Sequence, residues 1–257
     1  MKKLLTYLFI IISYCSFAQE KIGYYYNYNN LTDRFQDMSG QDITSYGITA
    51  ALDNSVKRDS LSKQMKRYKA KYPTASIKVV ISTDTSIYTQ VNKIKNFQTN
   101  YGVNFDGYNL EREFWNGAGT FTQWLQWCRI IKSRLGSVEA YLGKFTQSQA
   151  DSIVYNVGKI YLHNYYNIDR WSGKYCFDND NSRVKYLAKS ANKQGKVYEV
   201  YLLLANNEQS NTLGFQTEYL TGEAINYCWQ SYQKAYTNYS MSYKLNLLIK
   251  SIMIYKK

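Results

Sequence analysis

The run Phe105-Asp106-Gly107-Tyr108-Asn109-Leu110-Glu111-Arg112-Glu113-Phe114-Trp115 holds the most concentrated set of residues able to do chemistry in this chain. Read as a strand over Phe105–Phe114, it sends successive side chains to opposite faces. Asn109, Glu111 and Glu113 then share one face, spaced roughly 6.6 Å per two residues. Two carboxylates held close together in a dry interior do not both ionise cheaply. One keeps its proton and becomes a general acid while the other stays anionic. Cleavage of a glycosidic bond needs such an acid on the leaving oxygen. The competing reading is structural, with Glu111 and Glu113 ion-paired to Arg112 and to lysines of neighbouring strands. Their setting in the fourth of eight strands favours the catalytic reading.

Other chemistries find less support. His163 is the single histidine, and beyond the N-terminal region the cysteines are Cys128, Cys176 and Cys228, widely spaced. That set lacks the ligand spacing of a zinc site, and an odd number of scattered thiols is not a disulfide framework. Cys128 and Cys228 lie in helical patterns beside tryptophans and read as core. No metal and no cofactor are expected.

The elements that must position these residues alternate along the chain. Strand patterns cover Ile22–Tyr26, Ile43–Thr49, Ile77–Ser82, Phe105–Phe114, Val138–Leu142, Ile160–Tyr165, Val197–Ala205 and Leu247–Tyr255. Helical patterns cover Asp33–Met38, Val56–Tyr72, Thr85–Tyr101, a segment capped by Thr120 and ended by Gly136, Gln147–Val157, Ser182–Ala191 and Glu223–Tyr236. Apolar residues three and four apart mark the helices, and unbroken apolar runs mark strands buried on both faces. Such alternation predicts a parallel sheet with crossover helices. Eight strands in about 240 residues predict a (β/α)8 TIM barrel lacking its last helix, formed by residues 19–257 as one domain. The runner-up is an open doubly wound sheet, which would usually carry a glycine-rich phosphate turn after the first strand. Here that strand runs into Asn27-Tyr28-Asn29-Asn30, without a glycine.

In an eight-stranded barrel the active site lies at the C-terminal ends of the strands. There Asp106-Gly107-Tyr108-Asn109-Leu110-Glu111-Arg112-Glu113 resembles the fourth-strand signature of family 18 glycoside hydrolases, the chitinases and endo-β-N-acetylglucosaminidases: Asp-Gly-x-Asp-x-Asp-x-Glu. The resemblance implies Glu113 as the catalytic acid and Glu111 as the carboxylate that orients the substrate's acetamido group. It places Asn109 on the inner supporting Asp and Asp106 on the first Asp. It further implies substrate contacts from His163, Asn164 and Tyr165 at the end of strand six, and from Tyr255 as the sugar floor of strand eight. In that family the substrate's own N-acetyl oxygen attacks the anomeric carbon, so no protein nucleophile is needed. The chain departs from the signature at Asn109, Glu111 and Arg112. These departures motivate an alternative, a non-catalytic glycan-binding or envelope protein on a degenerate glycosidase barrel.

The N-terminus reads as a secretory signal peptide over residues 1–18: Lys2-Lys3, an apolar stretch to Ile12, and a small-x-small site ending at Ala18. The apolar stretch is shorter than the roughly 20 residues of a membrane span. A secreted or periplasmic product is expected, with lipid anchoring at Cys15 as the minority alternative. The net charge of +13 reads as a solvated basic surface, because the lysines are spread through the helices without a compact arginine patch. The expected partner is a poly- or oligosaccharide with N-acetylated sugars, not nucleic acid, bound by a monomer. Twenty-eight tyrosines suit stacking on sugar rings as well as packing. For Tyr24, Tyr26, Tyr141 and Tyr201, taken singly, packing is the better reading.

Overall fold

The computed structural model describes residues 22–28, 35, 40, 42–82, 86–163, 183–205 and 247–256. Within them, eight strands close into a parallel barrel in sequence order. They are β1 (Ile22–Asn27), β2 (Asp42–Tyr46), β3 (Ile77–Ser82), β4 (Gly107–Glu111), β5 (Glu139–Leu142), β6 (Lys159–His163), β7 (Tyr198–Ala205) and β8 (Leu247–Lys256). The barrel closes where β8 pairs with β1, Ile22 beside Ile252 and Tyr25 beside Tyr255. The described crossovers carry α1 (Ile48–Ala51), α2 (Ser55–Lys71), α3 (Ile87–Tyr101), α4 (Phe121–Leu135), α5 (Gln147–Asn156) and α6 (Arg183–Lys193). The helical readings over Asp33–Met38 and Glu223–Tyr236 lie outside the described residues, apart from Phe35. So do residues 1–18, Cys176 and Cys228.

The helices form because their apolar residues recur on one stripe, which must be buried against the sheet. Leu61 and Met65 of α2, Val91, Ile94 and Phe97 of α3, and Trp124, Cys128 and Ile131 of α4 are fully buried in one shell between helices and strands. Burial pushes the Cys128 thiol far up, which makes it an inert core residue. Gly102 and Gly136 end α3 and α4 with left-handed backbone at φ +59° and +88°, the conformation that favours glycine there. Thr120 opens α4 with a reciprocal cap, its hydroxyl accepting from Gln123 N–H and the Gln123 amide oxygen accepting from Thr120 N–H.

Several strand ends differ from the sequence reading by a residue or two, and two strands differ by three at their C-terminal ends. The second strand stops at Tyr46 rather than Thr49, because Gly47 at φ +81° turns the chain directly into α1. The fourth strand is shorter at both ends, Gly107–Glu111 instead of Phe105–Phe114. A 3₁₀ turn over Phe114–Asn116 follows it and ends at Gly117. Aromatic Phe114 and Trp115 supply strand-like side chains, yet their packing against α4 and β5 pulls the chain off the sheet.

Candidate active site

The side chains of β4 sort cleanly into two faces. Tyr108 and Leu110 belong to the outer shell, and the Tyr108 hydroxyl donates to Gln98 Oε1 on α3 at 2.8 Å. Alternation therefore turns Gly107, Asn109 and Glu111 toward the barrel axis. A Cβ on Gly107 would sit 2.8 Å from Glu139 Oε1 and 3.2 Å from the Lys78 side chain, so glycine makes room there for two long inward side chains.

Those side chains form a polar floor. Lys78 of β3 and Glu139 of β5 are both buried, with Nζ and Oε2 3.3 Å apart. Lys78 donates to the Tyr161 hydroxyl at 2.8 Å, and that hydroxyl donates to Glu139 Oε2 at 2.7 Å. Thr44 of β2 adds a donor to the same hydroxyl at 3.2 Å. The Tyr161 ring stacks on Tyr201 at 5.0 Å, and Lys78 Nζ lies 4.9 Å from the centre of the Tyr201 ring. Burial, and then the nearby Glu139 charge, push the Tyr161 phenol well above its ordinary value, so it stays a neutral donor. Sequence reasoning missed this cluster. Alternation within β3 and β5 puts Lys78 and Glu139 on a common face only once the strands are known to be close neighbours around β4.

Above the floor, Asn109 is fully buried, and neither atom of its carboxamide has a hydrogen-bond partner. Glu111 ends β4 half-buried, beside Ser82 of β3. Glu113 lies beyond the strand and caps the 3₁₀ turn, so its direction is set by that turn and not by strand alternation. Its carboxylate accepts a short hydrogen bond from the Asn116 amide, while its carbonyl accepts from Asn116 N–H and Ala118 N–H. Asn116 is thus a second residue that sequence reading overlooked. The i, i+3 spacing of Glu113 and Asn116 was its only signal. Arg112 points the other way, donating to Ala118 O and lying over the Trp127 ring at 4.6 Å.

Trp115 is the third. Its half-buried indole packs edge-on to Phe114 and lies 5.8 Å from Tyr141 of β5, beside the same rim. A Cβ on Gly143 would come within 2.6 Å of the indole, which is why glycine stands at that position. Gly143→Ala is expected to force the indole aside at a cost of about 1–3 kcal/mol. Urea unfolding followed by fluorescence checks this, and an unchanged midpoint would show that Trp115 does not lean on Gly143.

The structure thus places Asn109 and Glu111 on the C-terminal half of β4 and Glu113 just beyond its end, and it places two other predicted residues at C-terminal strand ends by backbone. His163 ends β6, and Tyr255 lies one residue from the end of β8. Asn164 and Tyr165 fall outside the described residues. Asp106 is a correction. It precedes β4 at the opposite mouth, where its carboxylate accepts from Ile77 N–H at 2.7 Å and pairs with Lys69 at 2.8 Å. That position ties two strands together and removes Asp106 from the substrate-binding set.

No protein-family profile and no curated protein matches the sequence. Solved structures do match in shape. A protein described as a chitinase A from Streptomyces coelicolor superposes with a TM-score of 0.54 at 13% identity, over 93% of this chain and 92% of that one. In fold, this chain is a TIM barrel. The chitinase ChiW from Paenibacillus sp. str. FPU-7 gives a TM-score of 0.50 at 13% identity. That match covers 91% of this chain, which spans 40% of the ChiW chain. At this identity the likeness concerns the fold. Among the described residues no helix is long and apolar enough to cross a membrane.

Proposed function

We propose that this TIM barrel is an exported glycoside hydrolase acting on N-acetylglucosamine-containing glycans by substrate-assisted, retaining hydrolysis. The observation that carries the reading is the buried Asn109 and the half-buried Glu111 on the inner face of β4, with a second carboxylate, Glu113, two residues on where the chain enters the 3₁₀ turn. Export is supported by the signal-like residues 1–18.

In this mechanism Glu113 donates its proton to the glycosidic oxygen as the bond to the anomeric carbon breaks. The substrate's acetamido oxygen attacks that carbon from the other face and closes a five-membered ring. Glu111 accepts from the acetamido N–H and stabilises the positive charge that develops. Glu113, now a carboxylate, then takes a proton from the water that opens the ring, so configuration is retained. Asn116 holds one Glu113 oxygen, which leaves the other to carry the proton. The Trp115 indole offers a ring face beside the acid on which a sugar could stack.

The test is paired substrates: a nitrophenyl glycoside of N-acetylglucosamine oligomers against its glucose counterpart with a plain 2-hydroxyl. Nitrophenol release from the acetamido substrate alone is expected. Release from neither, or equally from both, would sink the mechanism. A second reading, glycan binding without turnover, is favoured by Asn109. The resemblance would put a charged Asp beneath Glu111, and a neutral carboxamide stands there instead. Binding of the acetamido oligomer without any release would select it.

A further inference from the structure

The protein's positive charge is not evenly spread. Helices α2, α3 and α4 are neighbours on one side of the barrel. Together they carry twelve lysines and arginines against one acid, Asp59. None of the twelve is buried. Asp59 is itself engaged by the Tyr101 hydroxyl at 2.7 Å. Among the described residues Lys63, Lys66, Lys95 and Lys132 form no ion pair. Like charges gathered this way repel one another and favour an anionic partner.

The relief of this face narrows the partner further. A groove of about 330 Å³ runs between α3 and α4, lined by Lys95, Arg134, Gln98, Thr99 and Asn104 and by no carboxylate. A larger groove of about 540 Å³ lies on the other flank of α3, with Arg58, Asn96, Asn100 and an Asp53–Lys93 pair. Between them the exposed ridge of α3 carries Asn92, Lys95, Asn96, Thr99 and Asn100. Cations spaced among carboxamides and a hydroxyl match a chain that alternates acid groups with hydroxyls. A lipid surface would call for apolar anchors. On these three helices the exposed large apolar residues are only Val56 and Tyr88, and Tyr88 is covered by Arg134. Single-stranded nucleic acid would call for open stacking rings, whereas Tyr88 is covered by Arg134, Tyr101 is held by Asp59, and Tyr108, which lines the smaller groove, is buried with its hydroxyl on Gln98.

We propose that the α2–α3–α4 face is a docking site for an acidic polysaccharide of the polyuronate class. It lies on the outer wall of the barrel, with both grooves on the last turns of α3, the end that leads into the start of β4. Glu111 and Glu113 stand at the other end of that strand. The site is therefore separate from the rim and does not depend on the reading of its chemistry.

The test measures binding of the full chain to immobilised polygalacturonate. Neutral dextran, short duplex DNA and phosphatidylglycerol vesicles serve as comparisons. Polygalacturonate is expected to bind most tightly, with an affinity that falls as salt rises. Lys63→Glu, Lys66→Glu and Lys95→Glu combined should weaken it at least about tenfold, three reversed charges acting at one surface. The same reversals at Lys185, Lys189 and Lys193 of α6 should weaken it less than about twofold. Alanine at Asn96, Asn100 and Asn104 leaves the charge unchanged and should still cost about threefold, as lost hydrogen bonds do. All variants are compared at matched unfolding midpoints. Equal losses from the α6 reversals, no loss from the alanines, or tighter binding to DNA or vesicles would each overturn the proposal.

Discussion

Glu113→Gln is expected to lower turnover of the acetamido glycoside about 10²–10⁴-fold while leaving its binding within about threefold. Glutamine keeps the shape of the side chain and can still meet Asn116, so the 3₁₀ turn and the position of Trp115 should survive. What it cannot do is deliver a proton to the departing oxygen. The expected pattern is a fall in kcat with KM nearly unchanged, measured by nitrophenol release, with circular dichroism and melting unaltered. A variant that retains a third or more of wild-type activity would mean that Glu113 is not the acid. Because Glu113 sits on a turn rather than on the strand, Asn116 becomes part of this argument. The amide fixes the carboxyl where strand geometry does not.

Lys78→Met should destabilise the fold by about 3–5 kcal/mol, the cost of leaving a buried carboxylate without its cation. Glu139 is 5% exposed, and its Oε2 loses the Lys78 ammonium and keeps the Tyr161 hydroxyl as its hydrogen-bond donor, with Lys159 as the more distant cation on the neighbouring strand. Tyr161 in turn loses the donor at 2.8 Å. The double variant Lys78→Met with Glu139→Gln removes both charges and should recover most of the loss, since replacing a whole buried pair is often near neutral. Denaturant unfolding of the wild type, both single variants and the double variant gives the coupling directly. A single-variant loss below about 1 kcal/mol would show that water reaches the floor. The floor also bears on the rim. Asn109 pairs in register with Glu139 on the neighbouring strand. A second carboxylate at position 109 would share an interior that already holds Glu139, and a neutral carboxamide avoids that repulsion. The departure of Asn109 from the signature thus has a local electrostatic reason in this barrel, whatever its effect on turnover.

How much could be read in advance follows from which interactions are local. The alternation of strand and helix is carried by apolar spacing within each segment, and it predicted the eight strands and the barrel they close. Gly102, Thr120 and Gly136 announced helix ends because caps are settled within a few residues. The placement of Asn109 and Glu111 on one inner face was legible too, since a strand alternates wherever it lies. The same logic failed at Glu113, where Phe114 and Trp115 prefer the pocket between α4 and β5 to another turn of sheet. At Asp106 the signature and the strand direction disagree, because a residue that opens a parallel strand lies at the mouth opposite the strand's C-terminal end. Lys78, Glu139 and Tyr161 are 22 to 83 residues apart, and no local pattern joins them. They meet only because closing the barrel points every second residue at one axis. Sequence by itself determined the elements and the inward face of β4. Tertiary structure decided what lies beneath Asn109, because Lys78, Glu139 and Tyr161 come within hydrogen-bond reach only on closure, and it decided that the chain leaves the sheet before Glu113, through the packing of Phe114 and Trp115 on α4 and β5.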